Sequence, residues 1–194
     1  MNILKKTLLT LSLLTSSLIA EDSAYYSSPL VGIELGLSSI KSETYTTSNT
    51  SYSSNNNNVG FTGLKIGAET KHYRIFLNSN YYIDNNDIYD YFITYGIQGQ
   101  YLFDVSSNFD LFIGLEGGLA NINFKLANEN FSRSVTDTYI GADAGINIKT
   151  EDFDIEFGGR VLGLDAENIN NNVVYKHNRV SSIYLSLIFK YDKD

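Results

Sequence analysis

Alternation with a period of two recurs from residue 30 almost to the end of the chain, and nothing else in the sequence restricts the fold as much. Successive side chains of a β-strand point to opposite faces, so such a run sorts its residues onto two surfaces. In residues 30–39, Val31, Ile33, Leu35 and Leu37 share one surface, and Gly32, Glu34, Gly36 and Ser38 the other. The same reading applies to residues 59–70, 73–84, 91–103, 109–120, 135–150, 153–165 and 179–191. Eight runs result, each holding at least the 9–11 residues that cross a bilayer as a tilted strand.

Alternation alone does not say which surface faces inward. A soluble barrel of the lipocalin kind keeps apolar residues inside and charge outside; a membrane barrel does the reverse. The contents of the two surfaces decide between them. Through the body of the eight runs the apolar parity carries no charge. The other parity holds Glu34, Lys65, Glu69, Arg74, Asp110, Glu116, Asp143, Lys149, Asp154, Glu156, Arg160 and Lys190, interspersed with glycine, Gln98, Gln100, Asn78 and Asn147. Mixed charge signs among small residues suit the crowded interior of a narrow barrel, where acids and bases can pair. A Lys or Arg facing lipid at the bilayer midplane costs about 2–4 kcal/mol, so a charge-free parity is what lipid requires. Tyr73, Tyr101, Phe103, Phe109, Phe153, Phe189 and Tyr191 lie on that parity at one end of the runs, with Tyr81 and Tyr91 at the other, as two interfacial girdles would place them.

The connections alternate in length. Lys71-His72, residues 104–108 and Glu151-Asp152 are short, whereas residues 40–58, 85–90, 121–134 and 166–178 are longer and polar. The reading is an all-β fold, an eight-stranded antiparallel up-and-down transmembrane β-barrel over residues 30–191. Its long loops are expected outside the cell and both termini in the periplasm. Ahead of it, Lys5 and Lys6, the leucines at 8, 9, 11, 13 and 14, and Ser16, Ser17 and Ala20 read as a signal peptide over residues 1–20. Residues 21–29 then form a periplasmic N-terminal segment. Removing Lys5 and Lys6 leaves 12 basic against 22 acidic residues, a net charge of −10. An acidic chain without a basic stripe excludes nucleic acid as a partner class, and the absence of Cys excludes disulfides and zinc–thiolate sites.

The last strand, Tyr184-Leu185-Ser186-Leu187-Ile188-Phe189-Lys190-Tyr191, resembles the C-terminal assembly signal of the OmpA-like and OmpX-like small outer-membrane barrels. In that family the strand usually ends on the aromatic, whereas here Asp192-Lys193-Asp194 follow. The resemblance, which covers residues 25–191, implies a cell outer-membrane location in contact with lipid and lipopolysaccharide. It also implies a monomer that meets surface or host ligands through loops 40–58, 121–134 and 166–178.

Some barrels of this size modify lipid A through a His and a Ser at the rim. Here His177 lies near Ser181 and Ser182, but the tight His-x-Ser-Asn arrangement is not reproduced and no orienting acid is identifiable. No catalytic, cofactor-binding or metal residue is assigned. The acids Glu43, Asp84, Asp87, Asp90, Glu129 and Glu167 lack the spacing of a Ca²⁺ loop. The expected role is non-enzymatic, in envelope integrity or adhesion. A small diffusion channel and, behind it, a lipid A-modifying enzyme are the alternatives.

Overall fold

The computed structural model describes residues 27–46, 52–84, 89–125, 132–170 and 173–191. The expected signal peptide and most of the segment that follows it lie outside these residues. Eight strands are present: β1 (Ser28–Thr46), β2 (Tyr52–Glu69), β3 (Tyr73–Ile83), β4 (Tyr89–Ser106), β5 (Phe109–Lys125), β6 (Ser132–Lys149), β7 (Phe153–Asn170) and β8 (Val173–Lys190). Each pairs antiparallel with its neighbour in sequence, and β1 pairs with β8 from Leu30↔Lys190 to Thr46↔Val173, which closes the ring.

The register sets the barrel's dimensions. Following hydrogen-bonded partners from Ser28 leads through Glu69, Arg74, Gln100, Gly114, Asp143, Arg160 and Ser182 back to Ser38. The walk returns ten residues further along β1 (28 to 38). Ten residues of stagger over eight strands tilts each strand by about 40° and leaves a backbone radius of about 8 Å, an interior that side chains fill. Each residue then climbs about 2.5 Å along the barrel axis.

The orientation expected from charge parity is the one observed. Leu35, Leu37, Leu64, Leu77, Ile97, Leu115, Ile140 and Leu185 point outward and stand about half or more exposed, while Glu34, Lys65, Gln98, Asn147, Asp154 and Glu156 are fully buried. The outward apolar surface extends from Phe103 and Phe189 near the short turns to Ile83 and Leu119, a band of about 25 Å that water would leave unsatisfied and lipid covers. Along the turn-side rim, Tyr73 meets Tyr101 edge-on at 5.1 Å and Tyr101 meets Phe103 at 4.7 Å, forming part of the expected girdle. The three short connections are tight, as in the Thr70 N–H donating to Tyr73 O at 2.8 Å and the Thr150 N–H donating to Phe153 O at 3.0 Å.

Two expectations require correction. All strands except β3 are 17–19 residues long, well beyond what a bilayer needs. Much of the expected loops 40–58, 121–134 and 166–178 is therefore strand, with Ser39–Ser42 laddered on Asn58–Asn55 and Asn121–Lys125 on Thr136–Ser132. Polar Asn, Ser and Thr end the hydropathy alternation there, but their backbones still pair with the neighbouring strand. The second correction concerns the interior, which is not polar throughout. At the end away from the short turns, Ile40, Val59, Phe61, Tyr82, Phe92, Ile122, Tyr139, Leu162, Leu164 and Val180 are all buried inside.

A charge placed in the middle of the outward band exposes the lipid dependence directly. Leu115→Arg is expected to lower unfolding free energy in vesicles by about 2–4 kcal/mol, and Thr138→Arg, at the band's upper edge, by about 0–1 kcal/mol. Denaturant titration followed by tyrosine fluorescence measures both.

Candidate functional site in the lumen

Inward positions on facing strands bring the charged residues into one connected network. Arg160 on β7 reaches across to β1, its two terminal nitrogens donating to Glu34 Oε1 and Oε2 at 2.7 and 3.1 Å, while its Nε stands 2.9 Å from Glu116. Lys65 lies between Glu34 at 2.6 Å and Glu156 at 3.0 Å. Both cations rest over the Tyr184 ring, Arg160 at 4.6 Å and Lys65 at 4.9 Å from its centre. Such a ring supplies a desolvated cation with a further favourable contact. Closer to the turns, Arg74 binds Glu69 at 2.7 Å, contacts Asp154 and donates to Asn147 at 3.2 Å. Lys190 joins Glu69 and Asp154, and Lys149 joins Asp110 at 2.7 Å.

Asp143 is the member held by neutral groups. Its Oδ2 accepts from Gln98 at 3.0 Å, Gln100 at 3.1 Å and the Tyr184 hydroxyl at 3.2 Å. Gln100 also reaches Glu156 at 3.2 Å, so amides connect the two parts of the network. Glycines make the room: a Cβ on Gly158 would stand 2.6 Å from the Tyr184 ring, and one on Gly145 would stand 2.7 Å from Phe112. All twelve charged residues assigned to the interior by parity are found there, deep inside or, for Glu69, Lys149 and Lys190, at the turn-side mouth. That mouth is a shallow cavity of about 190 Å³ lined by Glu69, Lys71, Arg74, Asp110, Lys149 and Lys190.

Above the network lies the apolar layer. Tyr82 stacks on Phe92 at 4.3 Å and tilts against Phe61 at 5.4 Å, with Leu162, Leu164 and Val180 packed against the same cluster. The inward rings were legible in principle. At Tyr81-Tyr82-Ile83 and Tyr91-Phe92-Ile93 both parities become apolar, which marks a strand segment with lipid on one side and packing on the other.

His177 faces inward beside Tyr89, ring centres 5.7 Å apart, where β8 bulges between its pairings with Lys41 and Ser42. Ser182 also points inward and shares a 2.7 Å hydrogen bond with Ser38, whereas Ser181 takes the opposite parity. The structure therefore does not assemble a His–Ser pair from these residues. His72 sits at the turn-side rim, stacked on Tyr101 with its Nδ1 3.8 Å from Asp104. Of the acids named from the long segments, Glu43 pairs with Lys41 at 2.8 Å and Asp84 accepts from the Tyr89 N–H at 3.1 Å; Asp87 and Glu129 lie outside the described residues. Among the described residues no three His, Asp or Glu side chains are grouped as a metal site would group them.

No family model matches the sequence, and no curated protein matches it. Solved structures do. Neisserial surface protein A superimposes with a TM-score of 0.64 at 15% identity, over 86% of this chain and 99% of that one. The chain has the OmpA/OmpX-like barrel fold. The N-terminal barrel of Pseudomonas aeruginosa OprF (TM-score 0.48, 14% identity, 84% and 100% covered) and Yersinia pestis Ail (0.44, 15%, 82% and 98%) align more loosely.

Removing one side of the central pair should show how far this OmpA/OmpX-like barrel relies on its lumen. Arg160→Met leaves Glu34 and Glu116 buried without their shared cation and is expected to cost about 3–5 kcal/mol. Adding Glu34→Gln should restore part of that in the same unfolding assay. A pH effect is expected from the layer above the lipid band, where burial pushes His177 down to about 4. The unfolded chain binds that proton first, so stability is full at pH 7 and falls as pH drops from about 6.5 to about 4, by about 3 kcal/mol. His177→Phe should remove this acid-sensitive component from a pH series of unfolding curves.

Proposed function

We propose that this chain is a non-enzymatic barrel of the bacterial outer membrane whose working surface is its elongated rim, with both termini in the periplasm. The observation that carries this reading is a lumen closed in two successive layers, ion pairs below and packed rings above, inside an exterior suited to lipid. Eight strands at this stagger leave a bore that these side chains occupy, so solute passage is not the favoured role. Strands of 18 residues at this tilt rise about 45 Å, while the lipid-facing band takes about 25 Å of that height. Much of the remainder extends beyond the band as a β-collar built from the seven long strands, open where β3 ends at Ile83, and displays Asn, Ser, Thr and charged residues. A stiff polar collar suits contact with lipopolysaccharide or with another surface, because little ordering entropy is lost on binding. The neisserial barrel that shares this fold is itself named a surface protein.

Reconstitution of the folded protein into planar bilayers tests the reading. No stepwise conductance is expected in monovalent salt at moderate voltage. A reproducible open-channel current would overturn it in favour of the diffusion-channel role.

A further inference from the structure

Of the twelve charged side chains that the barrel encloses, seven are acids and five are Lys or Arg, so the interior carries an excess of negative charge. Six of the acids stand within ion-pair distance of a cation. Asp143 is the exception. Arg160, its register partner on β7, is turned away to Glu34 and Glu116. The Asp143 carboxylate is nevertheless buried, in a residue 5% exposed. It lies four residues along β6 from Asn147, the register partner of Asp110 at the turn-side mouth, and hence about 10 Å inside that mouth. An isolated charge at such a depth is costly unless a counter-charge reaches it.

The groups around Asp143 leave oxygen atoms that face no donor. Its Oδ2 takes all three hydrogen bonds, from the Gln98 and Gln100 amides and the Tyr184 hydroxyl, whereas Oδ1 receives none. The amide oxygens of Gln98 and Gln100 are likewise buried and without a donor, in side chains 0% and 3% exposed. Each belongs to the amide whose nitrogen is bound to Oδ2, so each lies within roughly 5.5 Å of that carboxylate oxygen. Gly114 stands between Gln100 and Asp143 in the register, and a Cβ there would collide with Oδ1 and press on the Gln100 side chain. The glycine thus keeps the space beside Oδ1 open.

We infer that Asp143, Gln98 and Gln100 bind a partly dehydrated alkali cation inside the closed lumen, through Asp143 Oδ1 and the two amide oxygens. One negative charge beside two neutral oxygens matches a monovalent ion. Ca²⁺ and Mg²⁺ take six or more oxygens, commonly with several carboxylates, and among the described residues no three acidic or histidine side chains are grouped in that way. A proton on Oδ1 would satisfy one of the two amide oxygens, whereas a cation serves both of them and the carboxylate together. The ion supplies the counter-charge that the register partner of Asp143 withholds, so the stability of the barrel depends on which cation the medium provides. The site is independent of the surface role proposed above.

Unfolding of the barrel in phospholipid vesicles, titrated with sodium or potassium chloride and, at matched ionic strength, with choline chloride, tests this. A ligand bound by the folded state alone raises stability as its concentration rises, and choline is too large for the site. The denaturant midpoint of the wild type is expected to climb with sodium or potassium relative to choline. Asp143→Asn should bring the midpoints in the three salts together, whereas Asp104→Asn, which alters a half-exposed acid at the turn-side rim, should keep the wild-type difference. Infrared difference spectra of the wild type against Asp143→Asn add a direct readout. A carboxylate band that shifts when sodium is exchanged for choline is expected, and a protonated-carboxyl band in both salts would overturn the inference in favour of a bound proton. A cation dependence that is equal in the wild type and Asp143→Asn, or absent from the wild type, refutes it as well. If Asp143→Asn lacks the β-sheet circular dichroism of the wild type, Gln98→Met takes its place: removing one amide oxygen should shrink the alkali-dependent shift, and an unchanged shift refutes the site.

Discussion

Hydrogen bonding between β1 and β8 is the interaction on which the rest depends. Within lipid no water is present to satisfy an exposed strand edge, so a sheet can cross only as a closed ring. Closure at a stagger of ten residues then fixes both the strand tilt and the radius. The radius in turn decides that the lumen is a packed interior rather than a pore. Each charged side chain inside is buried as a consequence of that closure and must find its partner across the barrel.

The partners are found by crossing the lumen. Glu34 and Arg160 lie 126 positions apart in sequence and Lys65 and Glu156 lie 91 apart, so the ion pairs join opposite walls as well as neighbours. Desolvating so many charges gives back little net stability, and an apolar filling could do as well energetically. Geometry gives the charges a different use. Because a carboxylate left without its cation is costly, one register satisfies the network and a slipped one does not; a shift of a single residue would turn every inward group toward lipid. The network thus selects the register, while the apolar layer above it supplies packing without long-range constraints.

Parity makes the barrel, its orientation and its interior charges readable in the sequence, because lipid penalises an outward charge severely enough to leave a clean pattern. Where that penalty ends, so does the pattern. Beyond Ser39 and Asn58 both faces meet water or head groups, polar residues appear on either side, and strand looks like loop although the backbone ladder continues. Arg179 and Asp165 break the segregation for the same reason: they stand at the ends of their runs, above the band, where an outward charge is tolerated. Individual pairings such as Arg160 with Glu116 were not legible, since they depend on stagger, a property of the whole ring and not of any strand. The inward rings of Tyr82 and Phe92 gave a local signal, two apolar parities at once, that is separable from a lipid-facing run only when the opposite wall is known.

In the function proposed above, a closed lumen and long strands together place the working surface on the outside. Substances in the medium meet only the collar's backbone-rigid edges and the connections between them, and the lipid leaflet meets the outward band and the aromatic rims. The charge pattern reflects this division. Inside, seven acids face five cations, and every acid except Asp143 stands within ion-pair distance of a cation, so much of the charge is balanced locally. At the rim, pairs such as Lys41 with Glu43 and Lys176 with Asp165 are partly exposed, so they weaken with added salt. The arrangement found here, with charge paired and rings packed within and polar strand ends beyond the lipid-facing band, is what the proposed role requires: a scaffold holding an interaction surface above a membrane.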